Sequence, residues 1–189
     1  MSERFEVRFA GSGGQGVILA SVIVGEAAAL YSDGLFAVQT QSYGPEARGG
    51  SSKAEVVISG EPIDYPMPVK PDLQIILTSQ ACEKYASEIK PGGRLIIDDF
   101  YVKEIPNIDA NIYHLPIVRT ARDVIGRELV TNMVSIGMVA RVLELEKVVE
   151  PSALKKAVLA RVPKGTEEMN SKAFDEGYKV FKNSQWLHF

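Results

Sequence analysis

The chain has 189 residues, 46% of them apolar and 24% charged, with a formal net charge of −3. That length suits one domain able to withdraw roughly 70% of its unfolded surface from water, so folding needs neither a disulfide nor a metal. Near-balanced charge excludes a strongly basic nucleic-acid surface and a polybasic membrane patch. The one cysteine, Cys82, excludes an internal disulfide and any four-cysteine zinc or iron–sulfur site built by this chain alone. It fits a reducing, cytoplasmic location. Met1 to Arg4 carries both signs of charge and lacks the apolar run of a signal peptide. The longest apolar stretch, Val17 to Tyr31, is interrupted by Glu26 and is too short to span a bilayer.

In chain order, Glu6 and Arg8 alternate with Val7 and Phe9, which predicts a strand ending near Ala10. It runs into Gly11-Ser12-Gly13-Gly14-Gln15-Gly16, then into a helix from about Val17 to Leu30. That helix is apolar nearly all round, so another layer of the chain or a partner subunit must cover it. Phe36 to Val38 predicts a second strand, and Gln39 to Gly50 reads as a loop by composition. Lys53 to Ser59 is a strand open to antiparallel pairing, and the four prolines between Glu61 and Pro71 make an extended connector. Asp72–Thr78 and Arg94–Asp98 are continuous apolar runs, as in parallel strands covered on both faces. A helix from Gln80 to Ile89, with Ser79 as its cap, and the Pro91-Gly92-Gly93 turn join them. Ala110 to Pro116 predicts one more strand. Thr120 with Asp123 resembles a capping pair, opening a helical pattern that breaks at Gly126 and runs to Leu145. Helices over Ser152–Val162, after Pro151, and Glu167–Lys182 complete the pattern. The aromatic tail Gln185–Phe189 packs either on a partner or back on this chain. The whole reads as one domain over residues 1–189. Its fold class is three-layer α/β, a mostly parallel sheet with an antiparallel addition and C-terminal helices to one side.

The chemistry concentrates at the glycine loop. Four glycines in six residues allow positive φ and leave no Cβ against a ligand. A strand before and a helix after put bare N–H groups and the positive end of a helix dipole at one point, which suits a phosphate. The same glycines also suit nothing more than tight strand–helix packing. Gly11, Gly13 and Gly16 match GxGxxG, but the second strand ends in Gln39-Thr40-Gln41 where a dinucleotide site needs an acid for the ribose. No Lys-Ser/Thr pair follows the last glycine, so this is not a nucleotide-hydrolysing loop. In the next loop, Arg48 between glycines is placed to reach a carboxylate or phosphate bidentately. Cys82 reads as a small packed hydrophobe and His114 as a packed or edge residue. The Asp98-Asp99 pair at a strand end serves either acid–base or metal chemistry or an ordinary solvated turn.

Together, Gly11 to Gly16 and Gln41-Ser42-Tyr43-Gly44-Pro45-Glu46-Ala47-Arg48-Gly49-Gly50 resemble the gamma subunit of 2-oxoacid:ferredoxin (acceptor) oxidoreductases. Asn132 to Gly137 and Asn170 to Gly177 fit the same pattern, so the resemblance covers nearly the whole chain. It implies the fold of the family's gamma subunit, the third domain of single-chain pyruvate enzymes. It also implies a complete enzyme that oxidises a 2-oxoacid such as 2-oxoglutarate or pyruvate with thiamine diphosphate and coenzyme A. The products are an acyl-CoA and carbon dioxide, and the electrons reach ferredoxin through iron–sulfur clusters. Thiamine diphosphate and clusters would sit on alpha, beta and possibly delta partner subunits, and this chain would bind coenzyme A without a catalytic residue or a metal of its own. Residue by residue, Gly11, Ser12, Gly13, Gly14, Gln15 and Gly16 would receive coenzyme A phosphates, with Arg48 helping. Gln41, Ser42, Tyr43, Gly44, Glu46, Gly49 and Gly50 would line the approach to the active site or the alpha interface. Two other readings stand beside this one. One is a stand-alone dinucleotide-binding oxidoreductase; the other is an assembly subunit whose loop binds nothing.

Overall fold

A computed structural model describes residues 4–43 and 50–187, Tyr43 by its backbone only. The chain runs β1 (Phe5–Ser12), α1 (Val17–Tyr31), β2 (Phe36–Tyr43), β3 (Ser51–Ser59), β4 (Leu73–Ile76), α2 (Ser79–Tyr85), β5 (Gly93–Asp98), β6 (Ala110–Leu115), a single turn α3 (Ile117–Arg119), α4 (Thr131–Leu145), α5 (Pro151–Arg161) and α6 (Glu167–Lys182). The strands form one sheet in the order β2-β3-β1-β4-β5-β6. The pairs β1–β4, β4–β5 and β5–β6 are parallel; β3 is antiparallel to both β1 and β2.

The alternation along β1 sorts its side chains between two cores. Phe5, Val7 and Phe9 join Leu73, Ile75 and Ile96 beneath α1, α4, α5 and α6. Ala10, Ile76, Leu95 and Ile97 face the other way, onto Ala81, Cys82 and Tyr85 of α2. The sheet is therefore the middle of three layers, as its continuous apolar strands require. The all-round apolar helix α1 lies between the sheet and α4–α5, with Ala20, Ile23, Val24 and Ala27 fully buried, so most of its apolar surface is covered within the chain. On the thinner face, Arg8 is 1% exposed and is held by Glu55 at 2.5 Å, directly opposite on β3, and by Glu88 at 2.7 Å, beyond α2. An ion pair in that position fixes strand register more surely than it adds stability.

The helical layer is tightest where α4 meets α6. A Cβ on Gly137 would stand 2.8 Å from Tyr178 N and nearer still to Phe174 O; one on Gly177 would stand 2.8 Å from Val134 C and nearer to its O. Backbone touches backbone there, which explains the small residues in Asn132–Gly137 and Asn170–Gly177.

Several local expectations change. β2 continues to Tyr43, so Gln39–Tyr43 is strand rather than loop, held by pairing with Ser52–Val56. The cap of α2 is Thr78, whose Oγ1 accepts from Ala81 N–H at 3.3 Å, and not Ser79, which lies inside the helix and donates to Tyr101 O. Thr120 and Asp123 form no capping box; they lie in a π-turn that prolongs α3, with Asp123 paired to Arg122. The tail folds back: Leu187 N–H donates to Ile112 O at 2.8 Å, and Trp186 meets Tyr113 edge to face.

Candidate functional site

The parallel neighbours β1 and β4 send their following segments in opposite directions, β1 toward β2 and β4 toward β5. Where two such connections diverge, the carboxyl ends of the strands leave a crevice, the usual ligand position in open α/β sheets. The glycine loop sits there. A cleft of about 500 Å³ opens between Ser12–Gln15 after β1, Thr78 after β4, Tyr101 after β5, and Glu128, Leu129 and Thr131 ahead of α4.

The loop's glycines have separate reasons. Gly14 and Gly16 have φ of 90° and 69°, conformations that side chains rarely adopt. Gly11 is packed against Gln15 and Leu77, while Gly13 has nothing within 4 Å of where a Cβ would go. Tight packing thus explains Gly11 but not Gly13, which faces open space. Gly16 is the N-cap of α1 and supplies no capping side chain; the first helical bond is Ala20 N–H to Gly16 O at 2.9 Å. Among the described residues the amides of Gly13, Gly14, Gly16, Val17, Ile18 and Leu19 donate to nothing. Two loop amides are already taken: Ser12 N–H donates to Gln15 Oε1 at 2.8 Å, the loop's own side chain, and Gln15 N–H donates to Ser12 O at 3.3 Å.

Among the described residues the walls are polar and carry an acid but no base. Tyr101 OH donates to Glu128 Oε1 at 2.9 Å, and this bond to a carboxylate pushes the phenol above its ordinary range. Thr131 Oγ1 donates to Glu128 O at 2.6 Å, fixing the turn before α4. Leu129 stands 73% exposed at the rim. Such a cleft can take acceptor oxygens on its amide side and donors or apolar groups on its Glu128–Leu129 side.

Of the loop singled out in the sequence, Ser12, Gly13, Gly14 and Gln15 line this cleft; the sequence reading did not include Thr78, Tyr101, Glu128 and Thr131. Those come from three separate segments, after β4, after β5 and ahead of α4, and no spacing links the three. Gln41 and Ser42 are exposed on edge strand β2, two strand spacings from β1 with β3 between, or about 10 Å. β2 and β1 end at the same edge of the sheet, since Tyr43 and Gly11 both pair with Ser52. Gly50 is half-buried just before β3. Gly44, Glu46, Arg48 and Gly49 lie outside the described residues.

The comparisons with known proteins follow this geometry. The family model described as pyruvate ferredoxin/flavodoxin oxidoreductase matches residues 6–180. The chain belongs to this family. The 2-oxoglutarate synthase subunit KorC of Methanocaldococcus jannaschii is 50% identical over 181 residues, covering 95% of each chain. The crystal structure of a keto/oxoacid ferredoxin oxidoreductase gamma subunit from Geobacter sulfurreducens superposes with a TM-score of 0.87 at 43% identity, over 97% of this chain and 99% of that one. A 2-oxoglutarate:ferredoxin oxidoreductase from Magnetococcus marinus, with 2-oxoglutarate, coenzyme A and succinyl-CoA bound, shares the fold at TM-score 0.82 and 23% identity. The match takes in 99% of this chain and 32% of that one.

Side chains that could hold a metal or cluster are few among the described residues of this family member. Cys82 is its only cysteine, and burial pushes the thiol above its ordinary range, away from the thiolate that a cluster ligand must be. Among the described residues no three His, Cys, Asp or Glu side chains gather to hold a metal, and no helix is long and apolar enough to cross a membrane. The strand-end acids are structural. Asp98 is fully buried and accepts from the amides of Phe100, Tyr101 and Val118 at 2.8–3.0 Å. Burial pushes its carboxyl up, and those three amides pull it partly back. Asp99 holds Arg119. His114 sits on edge strand β6 with Nε2 2.9 Å from Val102 O.

The topology also removes the comparison with dinucleotide sites. β3 lies between β1 and β2, so the end of β2 is not beside the glycine loop, and a ribose acid there would be out of place.

Proposed function

We propose that the chain is the gamma subunit of a 2-oxoacid:ferredoxin oxidoreductase, acts with partner subunits on 2-oxoglutarate, and contributes part of the coenzyme A site. The observation that carries this reading is the match along nearly its full length, at 50% identity, to a 2-oxoglutarate synthase subunit, with the unbonded amides at the start of α1 as the site. Thiamine diphosphate and the iron–sulfur clusters belong to alpha, beta and delta partners, which pass electrons to ferredoxin. The complete enzyme is cytoplasmic.

In this reading the amides of Gly13, Gly14, Gly16 and Val17 receive phosphate oxygens of coenzyme A, aided by the dipole of α1. Glu128 faces the same cleft and disfavours an isolated dianion. The compensating cation is Arg48, or a basic residue of a partner. Gln41, Ser42, Tyr43, Gly44, Glu46, Gly49 and Gly50 form the adjoining rim, turned to the alpha subunit.

Two measurements test this. The purified chain alone should not turn over a 2-oxoacid, and activity should appear when its partners are added. Coenzyme A titrated calorimetrically into the assembled enzyme should bind much more weakly to Gly13→Asp than to wild type. The open space around Gly13 lets the variant fold, and its carboxylate would stand among the phosphate-binding amides. Unchanged affinity would favour the assembly-subunit reading.

A further inference from the structure

Asn132, in the first turn of α4, is 5% exposed, yet its side-chain amide makes no hydrogen bond among the described residues. Among the described residues the fully buried side-chain atoms left without a partner are Glu6 Oε2, Thr40 Oγ1 and Gln74 Oε1, so the Asn132 amide keeps a contact with solvent and is open to a ligand. The side chain is aimed at the start of α1: a Cβ on Gly16 would stand 2.5 Å from Asn132 Nδ2 and 3.1 Å from its Cβ. Gly16 is the N-cap of α1, and the amides around it are also without acceptors. An unused NH₂ donor and a set of unused N–H donors thus converge from two different helices.

We infer that Asn132 is a ligand-binding residue. It donates to a phosphate oxygen of the coenzyme A held at the start of α1, completing a cradle of which the glycine loop is the other half. This rests on the proposed role of that loop. Three features argue for a neutral donor of fixed position. Thr131, next in the chain, is bonded to Glu128 O and anchors this turn at the cleft wall. The close approach of Gly137, five residues on, to the backbone of Phe174 and Tyr178 fixes the height of α4 against α6. A side chain on Gly16 would occupy the space of the Asn132 amide, so the left-handed glycine and the asparagine are required together.

The test uses the assembled enzyme and coenzyme A as probe, with wild type, Asn132→Ala, Asn132→Asp and Gly13→Asp compared by calorimetry and by steady-state kinetics. Asn132→Ala breaks no internal hydrogen bond, so its melting temperature should stay within roughly 3 °C of wild type. Its coenzyme A affinity should fall about ten- to a hundredfold, the worth of one hydrogen bond to a charged acceptor. The KM for coenzyme A should rise in step, with the KM for the 2-oxoacid and kcat little changed. Asn132→Asp fills the same volume but opposes an anion, and should bind at least as weakly as the alanine variant. If Gly13→Asp weakens binding while Asn132→Ala stays within twofold of wild type, the role of Asn132 is overturned and that of the loop survives. If Asn132→Asp retains full affinity, the side chain only fills space and the inference is wrong. If neither Gly13→Asp nor Asn132→Ala changes affinity, both the loop reading and the inference fall.

Discussion

Replacing Gly177 by alanine inverts the usual effect of that substitution. In an exposed helix interior, Gly→Ala stabilises by about 1 kcal/mol. At Gly177 the new methyl would stand 2.8 Å from Val134 C and 3.0 Å from its Cα, with the carbonyl oxygen closer. Relaxed contacts between such atoms lie near ~3.5–4.0 Å, and the obstacle is backbone, so no side chain can swing aside. α6 must withdraw from α4 by about 1 Å, loosening an interface that includes Phe174 and Phe181. Overpacking of this kind costs about 3 kcal/mol at the upper end of its range, so after the helical gain the net loss is about 2 kcal/mol. For a domain of this size that lowers the melting temperature by roughly 4–8 °C. Thermal unfolding of the purified subunit, wild type against Gly177→Ala, reads the difference directly. A melting temperature unchanged or raised would mean that the helices do not touch backbone to backbone, and the positioning of Asn132 and Thr131 argued from that contact would lose its support.

Three further outcomes follow from the same geometry. Arg8→Met alone leaves Glu55 buried without its main partner and should destabilise by about 3–5 kcal/mol. The double variant Arg8→Met/Glu55→Met should recover most of that loss in denaturant titration, and no recovery would contradict a register role for the pair. Asp98 holds its proton in the folded chain to higher pH than when unfolded, so its contribution falls as pH rises upward from its ordinary value of 3.8. Melting curves from about pH 4 to pH 7 should therefore shift in favour of Asp98→Asn relative to wild type as pH rises. A gap independent of pH would refute the direction given. Glu128→Gln removes the one carboxylate among the described residues of the cleft and should tighten coenzyme A binding by about three- to tenfold at low salt, less at high salt. Weaker binding would mean that Glu128 accepts from the ligand.

The elements that announced themselves in the sequence did so through unbroken patterns. The apolar runs of β4 and β5 each have one physical solution, and the chain adopts it. The position of β3 was less legible. Its strand character shows in Lys53–Ser59, but nothing local says that it separates β1 from β2, since sheet order is decided by non-local packing. The same limit applies at the site. Gly11–Gly16 carries its own signature, because positive φ at Gly14 and Gly16 and close packing at Gly11 demand glycine there. Thr78, Tyr101, Glu128 and Thr131 are ordinary residues that the sheet's carboxyl edge gathers from far apart. Gln15 shows a subtler gap: the loop's amides read as free, and its own side chain holds one of them.

The most direct measurement is the structure of the assembled enzyme with coenzyme A bound. The expected result is a phosphate of coenzyme A within hydrogen-bond distance of the amides from Gly13 to Val17, with Asn132 Nδ2 on one of its oxygens. Coenzyme A bound elsewhere, with Gly13 and Gly14 facing solvent and the Asn132 amide still unpaired, would contradict it.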